Sequence, residues 1–367
     1  VLRAKEIAMS ESANLMIRVM GDADQAVGAL ESVGGKLQSV GARALGLGAS
    51  MTAISGPLAL VGGVALNTAM DYESAMYMME ATSGATADQM AAVGSAAIAL
   101  GSDMTLPGTS AADAAEAMTE LSRAGLSVED SMAAALGTLR LAAAAEVSNA
   151  EAATIAGNAL NMFGLAGSEA TRVADLLAAG ANASSADIRQ MAMALQMSGS
   201  VAAAAGMPIE DLTTAIGLMA NAGIQGSDAG TSLKTMLMRL MNPTAEAAGL
   251  MEALGISVYD SQGEMRPMSS LIGQFTGALS GLTQEQRNAA LATIFGTDAV
   301  RAANVVLMGG TEAWEAMSGA VNRSGAAGDL AGARMSGLRG ALEGLKSTAE
   351  TLLLEAALPF LGALEGI

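Results

Sequence analysis

The residue types that most often do chemistry near neutral pH are missing from this sequence or scattered through it. The 367-residue chain has no histidine and no cysteine. That removes the usual general base, the thiol nucleophile and the commonest zinc ligands, so an HExxH site cannot exist. A phosphate-cradling loop needs GxxxxGK[ST], and neither Gly35–Lys36 nor Lys346–Ser347 has that spacing. Gly46–Leu47–Gly48 lacks the third glycine of a dinucleotide turn, with no strand–turn–helix pattern around it. No GxSxG elbow is present. What remains is carboxylate, as in Glu129–Asp130 and in Glu116 with Glu120 one helical turn on. Two acids at that spacing share a helix face and could act as acid and base, but on a polar face such pairs are ordinarily just solvated. The aromatic residues that line a sugar cleft are also scarce, at four Phe, three Tyr and one Trp. The sequence therefore predicts no enzyme, with no catalytic residues, no metal ligands and no cofactor site.

The elements that would position any site are almost all helical. Hydrophobic residues make up 51% of the chain, with 44 Gly and 27 Met. Small residues let helices approach closely, and Met fills irregular gaps. Net charge is −18, and Asp71–Asp175 carries fourteen carboxylates against Arg123, Arg140 and Arg172. Such a surface repels phosphates, which argues against nucleic-acid binding. In chain order, Asn14–Met20 (NLMIRVM) predicts a short strand, and Asp24 caps a helix to about Gly41. Residues 44–70 carry no charge, which fits either a buried central helix or a membrane-capable segment. From Asp71 the pattern is helices separated by glycine turns, with Thr86, Ser110, Ser127, Ser148, Ser168 and Ser184 as cap candidates.

A degenerate repeat of roughly 45–60 residues runs through Met118–Met132, Leu160–Val173 and Ile216–Gly230. In each, Ala-Gly separates a helix end from a capped start. Asp211–Pro243 is the clearest unit: helix, turn at Gly223, a second helix capped by Ser227 or Asp228 and stopped by Pro243, with a basic pair, Lys234 and Arg239. Ile256–Met268 predicts a small β-hairpin, and helices resume near Ser269, Thr283 and Thr297. The expected fold is mainly α, a bundle of helical hairpins with a short N-terminal strand and one small β-hairpin near 256–268. Its expected segments are 1–43 (strand and helix), 44–70 (uncharged apolar helix), 71–335 (helical core) and 336–367 (apolar helix). The chain starts at Val1 and ends inside a helical pattern, the expectation for an internal piece of a longer polypeptide.

Asp211–Pro243 resembles the central core of phage tail tape-measure proteins. Other segments resemble that core in the same order: DYESAM (71–76), SGAT (83–86), SAADAAEAMTELSRAG (110–125), NALNMFGL (158–165), LGISV (254–258), IFGTDAV (294–300) and the closing Ser336–Leu361. The resemblance implies a structural virion protein in the tail lumen or tail tip. It implies a ruler for tail length and a scaffold for tube assembly, released at DNA ejection. Implied partners are tail-tube and tail-tip or baseplate proteins, tail assembly chaperones, sister copies (most simply a trimer), and the host inner membrane at ejection, without sequence-specific nucleic-acid binding. The apolar run Leu352–Leu364 offers a surface for self-association. A continuous helix of this length would span about 550 Å. The glycine turns oppose such a rod, so this region is expected to be the folded, tip-proximal part. Alternatives are a membrane-active, pore-forming protein or a generic helical adaptor.

Overall fold

Helix ends in this chain follow one local rule. Gly125, Gly164, Gly206, Gly223 and Gly255 all have positive φ, and each is followed by an apolar residue. That residue donates its backbone N–H to the carbonyl five positions back: Leu126 to Leu121, Leu165 to Leu160, Met207 to Ala202, Ile224 to Met219, Ile256 to Met251. This is the Schellman arrangement, in which a left-handed residue satisfies the last helical carbonyls and tucks the next apolar side chain inward. Glu146 (φ 53°) fills the same role without glycine, with Val147 donating to Ala142.

In the computed structural model the described residues are 57–103, 105–106, 108–335, 344, 346–347 and 349–355, and side chains are described from 67 onward. They contain fourteen α-helices: α1 Pro57–Ser83, α2 Ala87–Gly101, α3 Ala111–Arg123, α4 Val128–Ala145, α5 Asn149–Phe163, α6 Ala170–Ala183, α7 Ile188–Ala204, α8 Ile209–Asn221, α9 Gly226–Met241, α10 Ala245–Ala253, α11 Met268–Leu279, α12 Gln284–Val306, α13 Gly310–Val321 and α14 Ala326–Met335. Cap residues match the expectation at Thr86, Ser127 and Ser148, whose side chains accept the amide three residues on; Ser110 makes the same bond with Asp113. Two candidates fall elsewhere. Ser168 sits inside a single 3-10 turn, Gly167–Glu169, and Ser184 ends α6. Asp187 caps α7 instead, because Gln190 returns the bond in a full capping box. Helix α9 likewise starts one residue early, at Gly226, leaving Ser227 and Asp228 inside its first turn. Pro243 follows its end as expected.

The chain forms two units, residues 1–116 with 335–367, and Ala117–Arg334. In the second, polar contacts recur at separations of 35 to 40 residues and join like ends of alternate helices. Asn161, near the end of α5, donates to the Ala124 carbonyl just past α3, 37 residues away. Asp130 in the first turn of α4 accepts from Gly167, which leads into α6, again 37 away. Arg189 at the start of α7 pairs with Glu151 at the start of α5, 38 away. Gln190 of α7 donates to Gln225 at the cap of α9, 35 away. So α3, α5, α7 and α9 run parallel in one row, and α4, α6 and α8 in a second, antiparallel to the first. The true step is 35–40 residues rather than 45–60. The longer estimate passed over the turn at Gly206 and placed the 160–173 turn at Ala166–Gly167 instead of Gly164.

Backbones touch where the rows pack. A Cβ on Gly137 of α4 would lie 2.4 Å from the Thr171 nitrogen of α6, and one on Gly230 of α9 would lie 2.5 Å from the Ala194 oxygen of α7. The remaining helices close the stack. Helix α12 breaks at Gly296 (φ 73°, ψ −179°), so the last part begins at Thr297 as expected. Phe295 beside the break packs on Phe275 of α11, ring centroids 5.6 Å apart. Trp314 of α13 is buried. In the first unit the Tyr72 hydroxyl of α1 donates to the Gly94 carbonyl of α2 at 3.3 Å, and the Thr351 hydroxyl donates to Gly101 at 3.0 Å.

No strand occurs among the described residues. Ile256–Met268 does not form the expected β-hairpin. It makes one antiparallel bridge, Tyr259 with Met265, and two backbone bonds, Asp260 to Glu264 and Arg266 to Val258. Pairing stops there because Pro267 has no N–H and α11 starts at Met268. The expected strand at 14–20 and the helix to Gly41 lie outside the described residues, as do 44–56 and 356–367. Helix α1 runs unbroken through residue 70. Among the described residues no single helix is long and apolar enough to cross a membrane; α12 and α13 pass only as a pair bent by 77°.

The close approaches set opposite signs for two kinds of glycine substitution. Gly230→Ala and Gly137→Ala gain helix propensity of about 1 kcal/mol but force a methyl into backbone, an overpacking cost of about 1–3 kcal/mol. Both should lower the urea midpoint. Gly249→Ala, in α10 with nothing within 4 Å of its Cβ position, should raise it.

Candidate functional site

Two of the carboxylates singled out from sequence, Glu120 and Asp130, make contacts that hold the fold. Glu120 pairs with Arg123 one turn on. Asp130 does more: one oxygen accepts from Gly167 N at 2.8 Å and the other from the Ser127 hydroxyl at 2.9 Å. It thus reaches across from α4 to satisfy a free amide at the entry to α6. Two other aspartates do the same at longer range. Asp175 of α6, buried, accepts from Gly325 and Ala327 at 2.7 and 3.0 Å and so caps α14 from 150 residues away. Asp211 of α8 accepts the Met268 amide at the start of α11, where the capping residue is Pro267 and makes no side-chain bond. The sequence signal was present: Gly-Leu-Ser-Val-Glu-Asp (125–130) and Gly-Met-Pro-Ile-Glu-Asp (206–211) share one pattern, and each ends on a bridging aspartate. Lys234 and Arg239 do not act as a pair. Lys234 sits half-buried on α9, while the Arg239 guanidinium lies about the Gly296 break, 3.7 Å from where a Cβ would stand.

The two equivalent aspartates titrate oppositely. The bonds from Gly167 and Ser127 hold the Asp130 carboxyl below its ordinary range. Burial pushes Asp211 up, and the Met268 bond only partly offsets it. Asp211 lines a small cavity of about 150 Å³ with Met207, Met265, Arg266 and Met268.

The larger concavity is a groove of about 300 Å³ between α5 and α7, lined by Ile155, Met162, Met193 and Leu195, with the Glu151–Arg189 ion pair at one end. Arg189 is held by two bonds, 2.8 and 3.1 Å, to the two Glu151 oxygens. Beside the groove Met193, Met197 and Met238 remain 45%, 40% and 49% exposed. The sequence reading treated methionine as core filler, and Met193 with Met197 at i, i+4 was the available clue to a surface stripe. Such a face can bind by shape and dispersion, since thioethers adapt to varied partners.

The acid dependence follows from the aspartates. Asp211 has its folded pKa raised, so its charge costs stability increasingly as pH rises from the unfolded value of about 3.9, with the full cost at neutral pH. Asp211→Asn keeps an oxygen for the Met268 amide and should raise the urea midpoint at pH 7. Asp130 has its folded pKa lowered; its contribution is present above about pH 3.9 and lost as pH falls through the lowered value. Asp130→Asn should lower the midpoint at pH 7. The Asp211 difference should shrink as pH falls to the ordinary carboxylate range, and the Asp130 difference only at still lower pH.

Comparison with known proteins gives consistent matches. The family described as Phage-related minor tail protein matches residues 94–296. The tape measure protein of Pneumococcus phage Dp-1 is 34% identical over 304 residues, 83% of this chain and 26% of that protein. The probable tape measure protein of Escherichia phage P2 is 32% identical over 200 residues, 54% of this chain and 24% of that protein. The chain thus spans about a quarter of the length of these relatives. No solved structure gives a significant match.

Proposed function

This chain belongs to the phage-related minor tail protein family, and we propose that it is the folded, tip-proximal core of a tail tape-measure protein, carried in the tail and released at DNA ejection. Its place is the tail of the virion. The observation that carries the finer reading is the stack itself. Every helix from α3 to α9 ends within 18 residues, and four of the six turns between them close through Schellman glycines. A segment built this way cannot measure length by its own contour; it holds a shape. The ruler function of the parent protein therefore belongs to other, longer helices, and this region serves as the scaffold on which tube and tip proteins and sister copies assemble, most simply as three copies about the tail axis. Its acidic surface supports passage of DNA without adhesion. After release, the uncharged 44–70 segment could place its apolar side chains in lipid, which removes them from water.

One deletion separates a ruler from a folded core. Removing Ile188–Met241 in frame from the parent protein takes out three helices of the stack. If the region measured length as extended helix, tails would shorten by about 80 Å at 1.5 Å per residue. The expected result is loss of tail assembly, with no population of proportionally shortened tails in electron micrographs. Shortened but intact tails would overturn the reading.

A further inference from the structure

Two exposed surfaces of this chain match each other in chemistry and in spacing. The first is the face of α7 and α9. These helices are parallel, with Gln190 bonded to Gln225 and Gly230 against Ala194, so a residue of α9 stands level with the residue about 35 earlier in α7. Arg189 therefore lies at one end of the exposed Met193 and Met197, and Lys234 lies at the other, level with residue 199. Ten residues of helical rise separate the two cations, about 15 Å. Arg189 remains 53% exposed although Glu151 holds it, and Lys234 has no ion pair among the described residues.

The second surface is α1. Met70, Tyr77 and Met78 are 54%, 56% and 47% exposed and fall on one stripe at 100° per residue. Exposed Asp71 and Glu80 lie on the two flanks of that stripe. They are nine residues apart, about 14 Å. There is no lysine or arginine between Arg43 and Arg123, so the helix itself carries only acid.

We propose that the α7–α9 face receives helix α1 of a second copy of this chain, with the thioethers of Met193 and Met197 against Met78 and Tyr77, and with Arg189 and Lys234 meeting the acids that bracket them. The charge balance favours this contact over others. Copies carrying −18 repel one another, so attraction requires a place where accessible cations meet acid at matched spacing. The contact joins different surfaces of the two copies, so it is heterologous and closes as a ring when the rotation permits. It gives residues to the self-association proposed above and rests on that reading only for its setting in a tail.

The absence of cysteine makes the test clean. Met78→Cys and Met193→Cys are introduced into separate full chains, mixed, and oxidised with copper phenanthroline. The expected product is a disulfide-linked dimer of the two variants, formed at least about five times faster than from either alone and slowed by 0.5 M salt, which shortens the reach of charge interactions. Adding Lys234→Glu to the Met193→Cys chain should reduce the yield at least fivefold, and adding Asp71→Lys to the Met78→Cys chain should restore it, because the register that brings Met78 to Met193 sets Asp71 against Lys234 and Glu80 against Arg189. Circular dichroism of each variant checks that its helices are intact. A mixed yield no higher than the single variants, or one indifferent to Lys234→Glu, overturns the proposal. So does a chain carrying both cysteines that closes its disulfide at nanomolar dilution, since one copy then suffices. Any of these failures leaves the folded-core reading standing, because that is decided by the deletion.

Discussion

Backbone-to-backbone contact between alternate helices is the constraint on which the rest of this structure depends. Gly137 against Ala170–Thr171, Gly167 against Asp130 and Gly230 against Ala194 leave no room for a side chain. Once the rows are that close, the positions around each crossing can hold only small residues, which is why alanine dominates the buried set. Alanine buries little area, so each contact contributes little, whereas a buried leucine or phenylalanine contributes about 1.5–3 kcal/mol. Stability then comes from many shallow contacts plus satisfied helix ends. The buried aromatic residues Phe275, Phe295 and Trp314 sit away from these crossings, in α11 to α13.

Short helices make their ends a large share of the structure, and the ends are where charge is used. Each helix leaves four amides without intrahelical partners. Local caps satisfy some of them, and Asp130, Asp175 and Asp211 satisfy others from a different hairpin. A local cap stabilises its own helix; a carboxylate reaching across the stack also fixes how one hairpin is set against another. The cost depends on burial. At Asp130 the charge stays near water and the bonds win, while at Asp211 desolvation wins. The same local pattern, Gly-apolar-x-apolar-Glu-Asp, thus produces a favourable charge in one place and an unfavourable one in another.

What was legible in the sequence was what local physics decides. Thr86, Ser127, Ser148, Gly223, Pro243 and the restart at Thr297 were readable because a cap or a left-handed glycine needs only its neighbours. The helical-hairpin class followed from them, and so did the family. The register of the stack was not readable, because Gly206–Met207–Pro208 carries no Ala-Gly signature and the step depends on which small residues meet across rows. The hairpin at 256–268 was over-read: Ile256 and Val258 alternate as a strand would, but their side chains serve the helical core and Pro267 ends the pairing. The methionine face was missed for a related reason. Composition alone does not tell a buried thioether from an exposed one, and only the packing of α5, α7 and α9 puts Met193, Met197 and Met238 on the outside.

The contour of the chain also limits what such a fold can do inside an elongated particle. Ala117–Arg334 drawn out as one helix would reach about 330 Å, yet α1, the longest described helix at 27 residues, covers only about 40 Å. The turns that shorten the chain are built from glycines whose positive φ few other residues tolerate, so they are specified rather than incidental. Their main-chain closure is local, between residues no more than five apart, and at Ala124 the Asn161 side chain of α5 adds a bond from the next hairpin. Turn closure and the packing between rows are therefore two separate layers of stabilisation.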